Sequence, residues 1–165
     1  MVAWRAVAES APEFAARVRQ RFDEHKHKTM ATLRRDGSPR ISGIEAQFVD
    51  GELWFGSMSG AVKALDLRRD PRFALHGPSV DADEDDPAAW GGDAKLSGRA
   101  VEITDPARVE AAFRAMGAEP GQHAGSHLFK ADIEEVVLTR VGDPPDHLVI
   151  ELWRAGSGLR RFERE

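Results

Sequence analysis

The hydrophobic positions of this chain repeat at two spacings, one typical of helices and one typical of strands. Near the start, Phe14, Val18 and Phe22 recur every four residues behind Ser10, a residue type common at helix N-caps. This spacing predicts an amphipathic helix over about residues 11–25, which the positively charged string HKHK ends. We expect the apolar side of this helix to pack against the core.

The next segment, TMATLRRDGSPRISGIEAQFVDGELWFGS, alternates apolar and polar residues around two Asp-Gly pairs. Asp-Gly favours tight hairpin turns, because these turns need a backbone with positive φ. The pattern predicts a three-stranded antiparallel meander, with strands over about residues 29–35, 39–49 and 52–57. A short helix over 60–69 follows, and the Asp-Pro pair behind it ends it.

The second half of the chain continues with strand-like strings that turns separate. RFALHG and AKLSGRAVEI predict two strands, with a loop over residues 80–93 between them that holds six acidic residues. A helix begins at Asp105-Pro106 and runs to about Met116, and KADIEEVVLTRV and HLVIELWRA predict the last two strands. The string GSGLRRFERE is interpreted as a charged tail.

This order of elements predicts an α+β protein that is mainly β. Hairpin-linked strands indicate an antiparallel sheet or barrel of six or seven strands, with helices at its edges. A chain of 165 residues can bury one sizeable core, and no composition shift marks a second one. We therefore expect a single domain over residues 1–165.

The composition narrows the classes of function. Charged residues make up 31% of the chain and the net charge is -5, which argues against non-specific binding to nucleic acid. The chain has no cysteine, so disulfides, thiolate nucleophiles and cysteine-based metal sites are excluded. No apolar run has the length of a signal-peptide core or of a membrane span, which predicts a cytoplasmic protein without a membrane partner.

The string SMSGAVKALDLRRDP, where the third predicted strand leads into the short helix, carries candidate anion-binding chemistry. The free N–H groups and the positive dipole end of a helix N-terminus favour an anion. Ser59 is the predicted N-cap, Ser57 adds a second hydroxyl, and Lys63 lies four residues beyond Ser59 on the same face. These groups suit a phosphate. The alternative is an ordinary N-cap followed by a solvated lysine.

Two histidines and a tryptophan are further candidates. His123 and His127 have a spacing that can place two metal ligands on one helix face, but Ala124-Gly125 between them favours an irregular polar loop and no metal site. The alternative for His127 is a position at the mouth of a ligand groove. Trp90, in the acidic loop, is either part of a solvated surface or a lid over a ligand.

Four strings, taken together and in order, resemble the pyridoxamine 5′-phosphate oxidase-like, FMN-binding split β-barrel family. They are TLRRDGSPRIS, GELWFGSMSGAVKALDLRRDPRFAL, GDAKLSGRAVEI and HLVIELWRAGSGLRR, and the resemblance covers about residues 11–164. It implies a split β-barrel homodimer with two flavin sites in grooves between the subunits. It also implies an oxidoreductase in which FMN performs the redox chemistry on a small organic substrate.

The resemblance further implies which residues contact the cofactor. Ser57 and Lys63 match the hydroxyl and the lysine that contact the flavin phosphate. The strand around residues 40–45 would run beside the flavin ring, and Trp153 is similar to a late tryptophan near the cofactor. The full set of expected cofactor-binding residues is Arg40, Ser42, Ser57, Ser59, Lys63 and Trp153.

The chain departs from the family pattern at two places. The family often has Ser-Arg-Lys where this chain has Ala61-Val62-Lys63, so one phosphate-binding arginine is missing, and Arg40, Arg68 and Arg69 are candidates to replace it. GLRRFER lacks the histidine of the Arg-Leu-His-Asp-Arg motif of true vitamin B6 oxidases. The expectation is an FMN-binding oxidoreductase other than a vitamin B6 oxidase. The alternatives are a deazaflavin (coenzyme F-420)-dependent reductase, as in some divergent actinobacterial relatives, and a non-catalytic flavin- or haem-binding protein.

Overall fold

A computed structural model describes residues 1–165 as eight β-strands and four α-helices. The helices are α1 (Trp4–Ser10), α2 (Pro12–Asp23), α3 (Val62–Arg69) and α4 (Pro106–Ala115), and a 3₁₀ turn spans Pro87–Ala89. The strands are β1 (His27–Leu33), β2 (Pro39–Val49), β3 (Glu52–Ser57), β4 (Arg72–His76), β5 (Asp93–Glu102), β6 (His127–Val141), β7 (Leu148–Arg154) and β8 (Gly158–Arg164). None of the helices is long and apolar enough to cross a membrane.

Six of the strands close into an antiparallel barrel. Their order is β3-β2-β1-β4-β5-β6, and pairing between β3 and β6 closes the ring. β6 is 15 residues long, so its first part closes the barrel while its last part pairs with β7 outside it. β8 pairs with β7 and forms the outer edge. The structure confirms the predicted mainly β fold class, an antiparallel split barrel with flanking helices.

Local sequence signals account for several element boundaries. The predicted meander is formed by β1, β2 and β3, although β1 starts two residues earlier than expected. Asp50 and Gly51 both have positive φ, 53° and 76°, as the tight turn between β2 and β3 requires. The Asp105 carboxylate accepts a hydrogen bond from the Arg108 N–H at 2.8 Å and caps α4 as expected.

Two element predictions are wrong. The N-terminal segment forms two helices, and Ser10 caps neither of them, because its hydroxyl accepts a hydrogen bond from Trp153 Nε1 at 2.8 Å and Ala11 stands at the N-cap of α2. The charged tail is strand β8, so the sheet has eight strands. Nearly every residue of β8 is exposed, which leaves this strand without the apolar alternation that would predict it.

One large core fills the barrel and continues under the first two helices. Inside the barrel, the Phe55 ring lies 5.2 Å from the Phe73 ring and 5.8 Å from the Phe129 ring, measured between centroids. A second, smaller cluster of Ile103, Phe113 and Leu128 lies outside the barrel and fixes α4 against β3 and β6. This cluster places the C-terminal end of α4 beside the outward face of β2 and β3.

Candidate functional site

A groove of about 530 Å³ crosses the outside of the barrel between the start of β1 and the end of α4. Its floor is the outward face of β2, where Gly43, Glu45 and Gln47 alternate with buried residues. Glycine at position 56 leaves room for the Phe113 ring, which lies 3.1 Å from where a Cβ would stand. The rest of the lining is Lys26, His27, Ile44, Ser57, Met58, Ala61, Lys63, Met116, Gly117, Ala118, Gln122, His123 and Ser126.

The turn between β3 and α3 forms one end of the groove and presents hydrogen-bond donors there. The Ser57 hydroxyl is buried and has no partner in the chain, which costs about 1–3 kcal/mol when nothing satisfies it. The N-cap of α3 is Ala61, whose side chain cannot accept the first N–H groups of the helix. This end of the groove therefore suits an anion with several acceptor oxygens.

Lys63 supplies a positive charge at the same end of the groove. Its Nζ donates to the carbonyl of Gly43 on the floor, and partial burial lowers the pKa of this ammonium. At the rim, by contrast, Glu45 already pairs with Lys26 at 3.2 Å and with His27 at 3.7 Å. Lys63 is thus the lysine of the groove that no carboxylate neutralises.

Of the six residues expected to bind a cofactor, the structure brings Ser57 and Lys63 together in the groove. Ser42 lies on β2 but pairs with Met30 on β1 and is not part of the lining. Ser59 is exposed and lies outside the lining, and the prediction that it caps the helix is wrong, because α3 starts two residues later than expected. The other two, Arg40 and Trp153, also lie outside the groove.

The three arginines expected to replace the missing family arginine are all bound to carboxylates. Arg40 Nε lies 2.7 Å from Asp66 Oδ2, and Arg69 Nη2 lies 2.8 Å from Asp66 Oδ1. Arg68 makes two hydrogen bonds to Glu102, of 2.7 and 2.8 Å. None of the three lines the groove, so Lys63 has no arginine beside it in this chain.

The two tryptophans that the sequence singled out lie away from the groove. Trp153 is buried in the main core, and its indole N–H donates to Ser10 at the end of α1. Trp90 donates its indole N–H to the carbonyl of Val80 at 2.6 Å and so ties the two ends of the acidic loop together. Trp90 is not among the residues that line the groove.

The two histidines of the irregular segment have different surroundings. His123 lines the groove and stacks on Phe113, with 4.3 Å between centroids and 15° between planes. His127 does not lie at the groove mouth. It is buried behind the turn between β3 and α3, and its Nδ1 lies 3.1 Å from Glu102 Oε1. The structure brings no three His, Asp or Glu side chains together as a metal-binding group.

The wall that α4 and the following loop contribute was missed in the sequence. The sequence indicates Phe113 as a core or interface residue and Met116 as the end of a helix, but nothing local indicates that this helix lies outside the barrel beside β2. The available signal was the apolar end of α4 followed by Gly117, whose positive φ of 90° turns the chain back over the groove.

The fold and the groove together define a split β-barrel protein whose groove presents hydroxyl, ammonium and backbone N–H donors at one end. The family model described as "Pyridoxamine 5'-phosphate oxidase" matches residues 14–142, which is more than half of the chain. The chain therefore belongs to this family. No curated protein sequence matches the chain significantly.

Several solved structures share the barrel. A pyridoxamine 5'-phosphate oxidase-related, FMN-binding protein from Nostoc punctiforme has a TM-score of 0.66 and 12% identity, covering 98% of this chain and 99% of that one. A haem-binding protein from Mycobacterium smegmatis has a TM-score of 0.56 and 14% identity, covering 89% and 86%. An F-420 reductase has a TM-score of 0.53 and 16% identity, covering 71% and 93%. At these identities the likeness shows the fold alone.

Proposed function

We propose that this chain is a homodimeric oxidoreductase that binds FMN in the groove and acts on a small organic substrate. The observation that carries the proposal is the buried, unpartnered hydroxyl of Ser57 beside the ammonium of Lys63 and the uncapped start of α3. Phosphate oxygens accept hydrogen bonds from all three kinds of donor. Family membership and the FMN-binding barrel from Nostoc punctiforme favour a flavin phosphate among possible anions.

The residues present fit such a cofactor, and each part of the groove has a task. A bound flavin supplies hydride transfer, and the protein supplies position and polarity. Ser57 and Lys63 would hold the phosphate. The floor from Gly43 to Gln47 offers backbone groups beside a space large enough for a cofactor-sized ligand. Phe113 and the loop after α4 close one side against water.

The homodimer part of the proposal rests on apolar side chains beside the open side of the groove. Ile41, Met58, Val62 and Leu65 are 45–81% exposed. Ile41 shares the outward face of β2 with Gly43, Met58 lines the groove, and Val62 and Leu65 are one turn apart on α3. Large apolar side chains gathered beside a groove are typical of a protein interface, and a second subunit would complete the groove.

An absorbance titration of the purified protein with FMN, and separately with coenzyme F-420, tests the proposed function. Saturable binding of FMN with a shift of its visible bands supports it, and turnover is then sought with electron donors and acceptors. Binding of coenzyme F-420 alone would instead assign the chain to the deazaflavin-dependent reductases. Binding of neither cofactor contradicts the proposal.

Replacing Ile41 by aspartate is expected to weaken the homodimer about tenfold or more, because the new carboxylate would lose its water on association. The side chain of Ile41 is largely exposed in the single chain, so the fold should remain intact. Light scattering over a range of concentrations measures the mass. Leu148→Asp, an exposed apolar position on β7, is the control. Equal effects of the two changes would contradict an interface beside the groove.

Replacing Ser57 by alanine is expected to weaken FMN binding about threefold to tenfold without destabilising the free protein. Its hydroxyl has no partner in the chain, so its removal costs the cofactor-free protein no hydrogen bond. Fluorescence titration and thermal unfolding of both proteins measure the two effects. Ser97→Ala on β5, outside the groove, is the control, and a fall in stability without a fall in affinity would refute the assignment.

A further inference from the structure

His127 contacts both ends of the turn that forms the anion-binding end of the groove. On the strand side, His127 is the pairing partner of Ser57 between β6 and β3. On the helix side, the backbone N–H of Gly60 donates to the His127 imidazole, with 3.1 Å between Gly60 N and Nε2. The turn carries Met58 and Ala61 into the groove lining. The backbone of His127 on one side and its buried ring on the other therefore hold the turn from behind.

The Glu102–Arg68 ion pair behind the ring fixes which ring nitrogen of His127 carries the proton. His127 Nδ1 lies 3.1 Å from Glu102 Oε1, and Arg68 binds the same carboxylate through two hydrogen bonds. The Arg68 guanidinium, followed by His127, lowers the pKa of Glu102 and keeps it ionised. An ionised carboxylate only accepts, so Nδ1 carries the proton and Nε2 offers its lone pair to Gly60.

Protonation of the ring would break this arrangement on one side only. A second proton on Nε2 turns the acceptor of the Gly60 N–H into a donor, and two donors then face each other. The charged groups that face the ring are Glu102 from β5 and, behind it, Arg68 from α3. β3 contributes Ser57 and β6 contributes the Phe129 ring, which carry no charge. The contact to Gly60 is therefore the one that protonation removes.

We propose that His127 is a positioning residue for the cofactor phosphate and that its protonation releases the turn at residues 57–61. This inference rests on the proposed function, because it names the control of the same site. Neutral His127 holds the donors of the turn in place, and the protonated ring lets them move. Acidification should therefore weaken the binding of FMN through the protein as well as through the phosphate itself.

Nitrogen NMR of the cofactor-free protein tests the first half of the proposal. At about pH 8, the ring shifts of His127 should report the Nδ1–H tautomer, and the Gly60 amide should show a hydrogen-bonded shift. As the pH is lowered stepwise until the His127 ring takes up its second proton, the amide signals of Gly60 and Ala61 should move together with the ring signals. A Gly60 signal that ignores the titration of the ring would overturn the proposal.

FMN affinity at two pH values, one where the NMR shows a neutral His127 ring and one where it shows a protonated ring, tests the second half. Two variants without a titrating ring are compared, His127→Gln, whose amide oxygen can still accept from Gly60, and His127→Leu, which cannot. The wild-type affinity should fall about fivefold to tenfold more than that of the glutamine variant on acidification. The leucine variant should bind weakly at both pH values. The phosphate of FMN also titrates near pH 6 and affects all proteins alike.

His147→Gln is the matched control, because His147 is also hydrogen-bonded to a carboxylate but lies on the far β6–β7 turn. It should keep the wild-type pH profile. Parallel profiles of wild type and the glutamine variant would overturn the positioning role. If wild-type protein binds no FMN at either pH, the proposed function fails, while the NMR titration still decides separately whether His127 holds the turn.

Discussion

Replacing Asp66 by alanine is expected to lower the free energy of unfolding by about 3 kcal/mol. Asp66 is buried at the end of the barrel, where it accepts hydrogen bonds from Thr32 at 2.9 Å, Arg40 at 2.7 Å and Arg69 at 2.8 Å. Removal of the carboxylate leaves two arginines without this counter-charge and the buried Thr32 hydroxyl without its acceptor. Urea unfolding followed by circular dichroism measures the change.

The same carboxylate predicts a loss of stability in acid. Burial raises the pKa of Asp66, but the hydrogen bonds from Arg69, Arg40 and Thr32 outweigh it, so the folded-state pKa lies below the usual value. A depressed pKa contributes stability that is fully present above the unfolded pKa of about 4 and is lost as the pH falls through the folded value. Unfolding midpoints should therefore fall more steeply below about pH 4 in the wild type than in Asp66→Asn.

Asp70→Ala is the control for Asp66. Asp70 also pairs with an arginine, Arg72, but this pair lies at the surface just beyond the end of α3. A much smaller loss is expected there, because solvent screens exposed ion pairs. Equal losses from the two substitutions would show that the burial of Asp66 is not the source of its contribution.

Replacing Lys63 by alanine is expected to weaken FMN binding by about 1.5–3 kcal/mol, roughly tenfold to 150-fold. No carboxylate neutralises this ammonium, and no arginine lies beside it to take its place. The charge-assisted hydrogen bond to the phosphate would be lost without replacement. Titration of FMN fluorescence measures the change. Stability should hardly alter, because the side chain is only half-buried and its one hydrogen bond is to the Gly43 carbonyl.

Riboflavin, which lacks the phosphate, separates a phosphate contact from a general effect on the groove. Lys63→Ala should bind riboflavin as well as the wild type does. Lys95→Ala, on the exposed face of β5 and outside the groove, is the control and should change neither affinity. An equal loss for riboflavin and FMN would place Lys63 against the ring system or the substrate and contradict the phosphate assignment.

The interactions within short segments could be predicted, whereas those between distant segments could not. The Asp50-Gly51 turn and the Asp105 cap each depend on neighbouring residues and appear where the sequence indicates them. Arg40, by contrast, was expected beside the cofactor and instead binds Asp66, which is 26 residues away. The buried Asp66 carboxylate needs positively charged partners, and the packing of α3 against β1 decides which arginines are close enough to pair with it.

The candidate site divides in the same way. Ser57 and Lys63 belong to one strand–turn–helix string, so their placement at one end of a groove follows from local geometry and from the resemblance. The start of β1 reaches β2 through the predicted hairpin, whereas the wall from α4 comes from packing on β3 and β6, which pair only when the barrel closes. His127 reaches Gly60 across 67 residues, and no local pattern marks a contact that β3–β6 pairing creates.

By itself, the sequence determined the order of helices α2 to α4 and strands β1 to β7, the family and the string with the candidate anion-binding residues. Hydrophobic periodicity and turn-forming residues act over a few neighbouring positions, so the sequence alone is enough to predict their effects. Only the tertiary structure decided that Lys63 lacks an arginine neighbour, that Trp153 belongs to the core, and that a buried histidine supports the turn. These outcomes depend on which charged and apolar side chains become buried together, and distant segments meet only when the barrel closes.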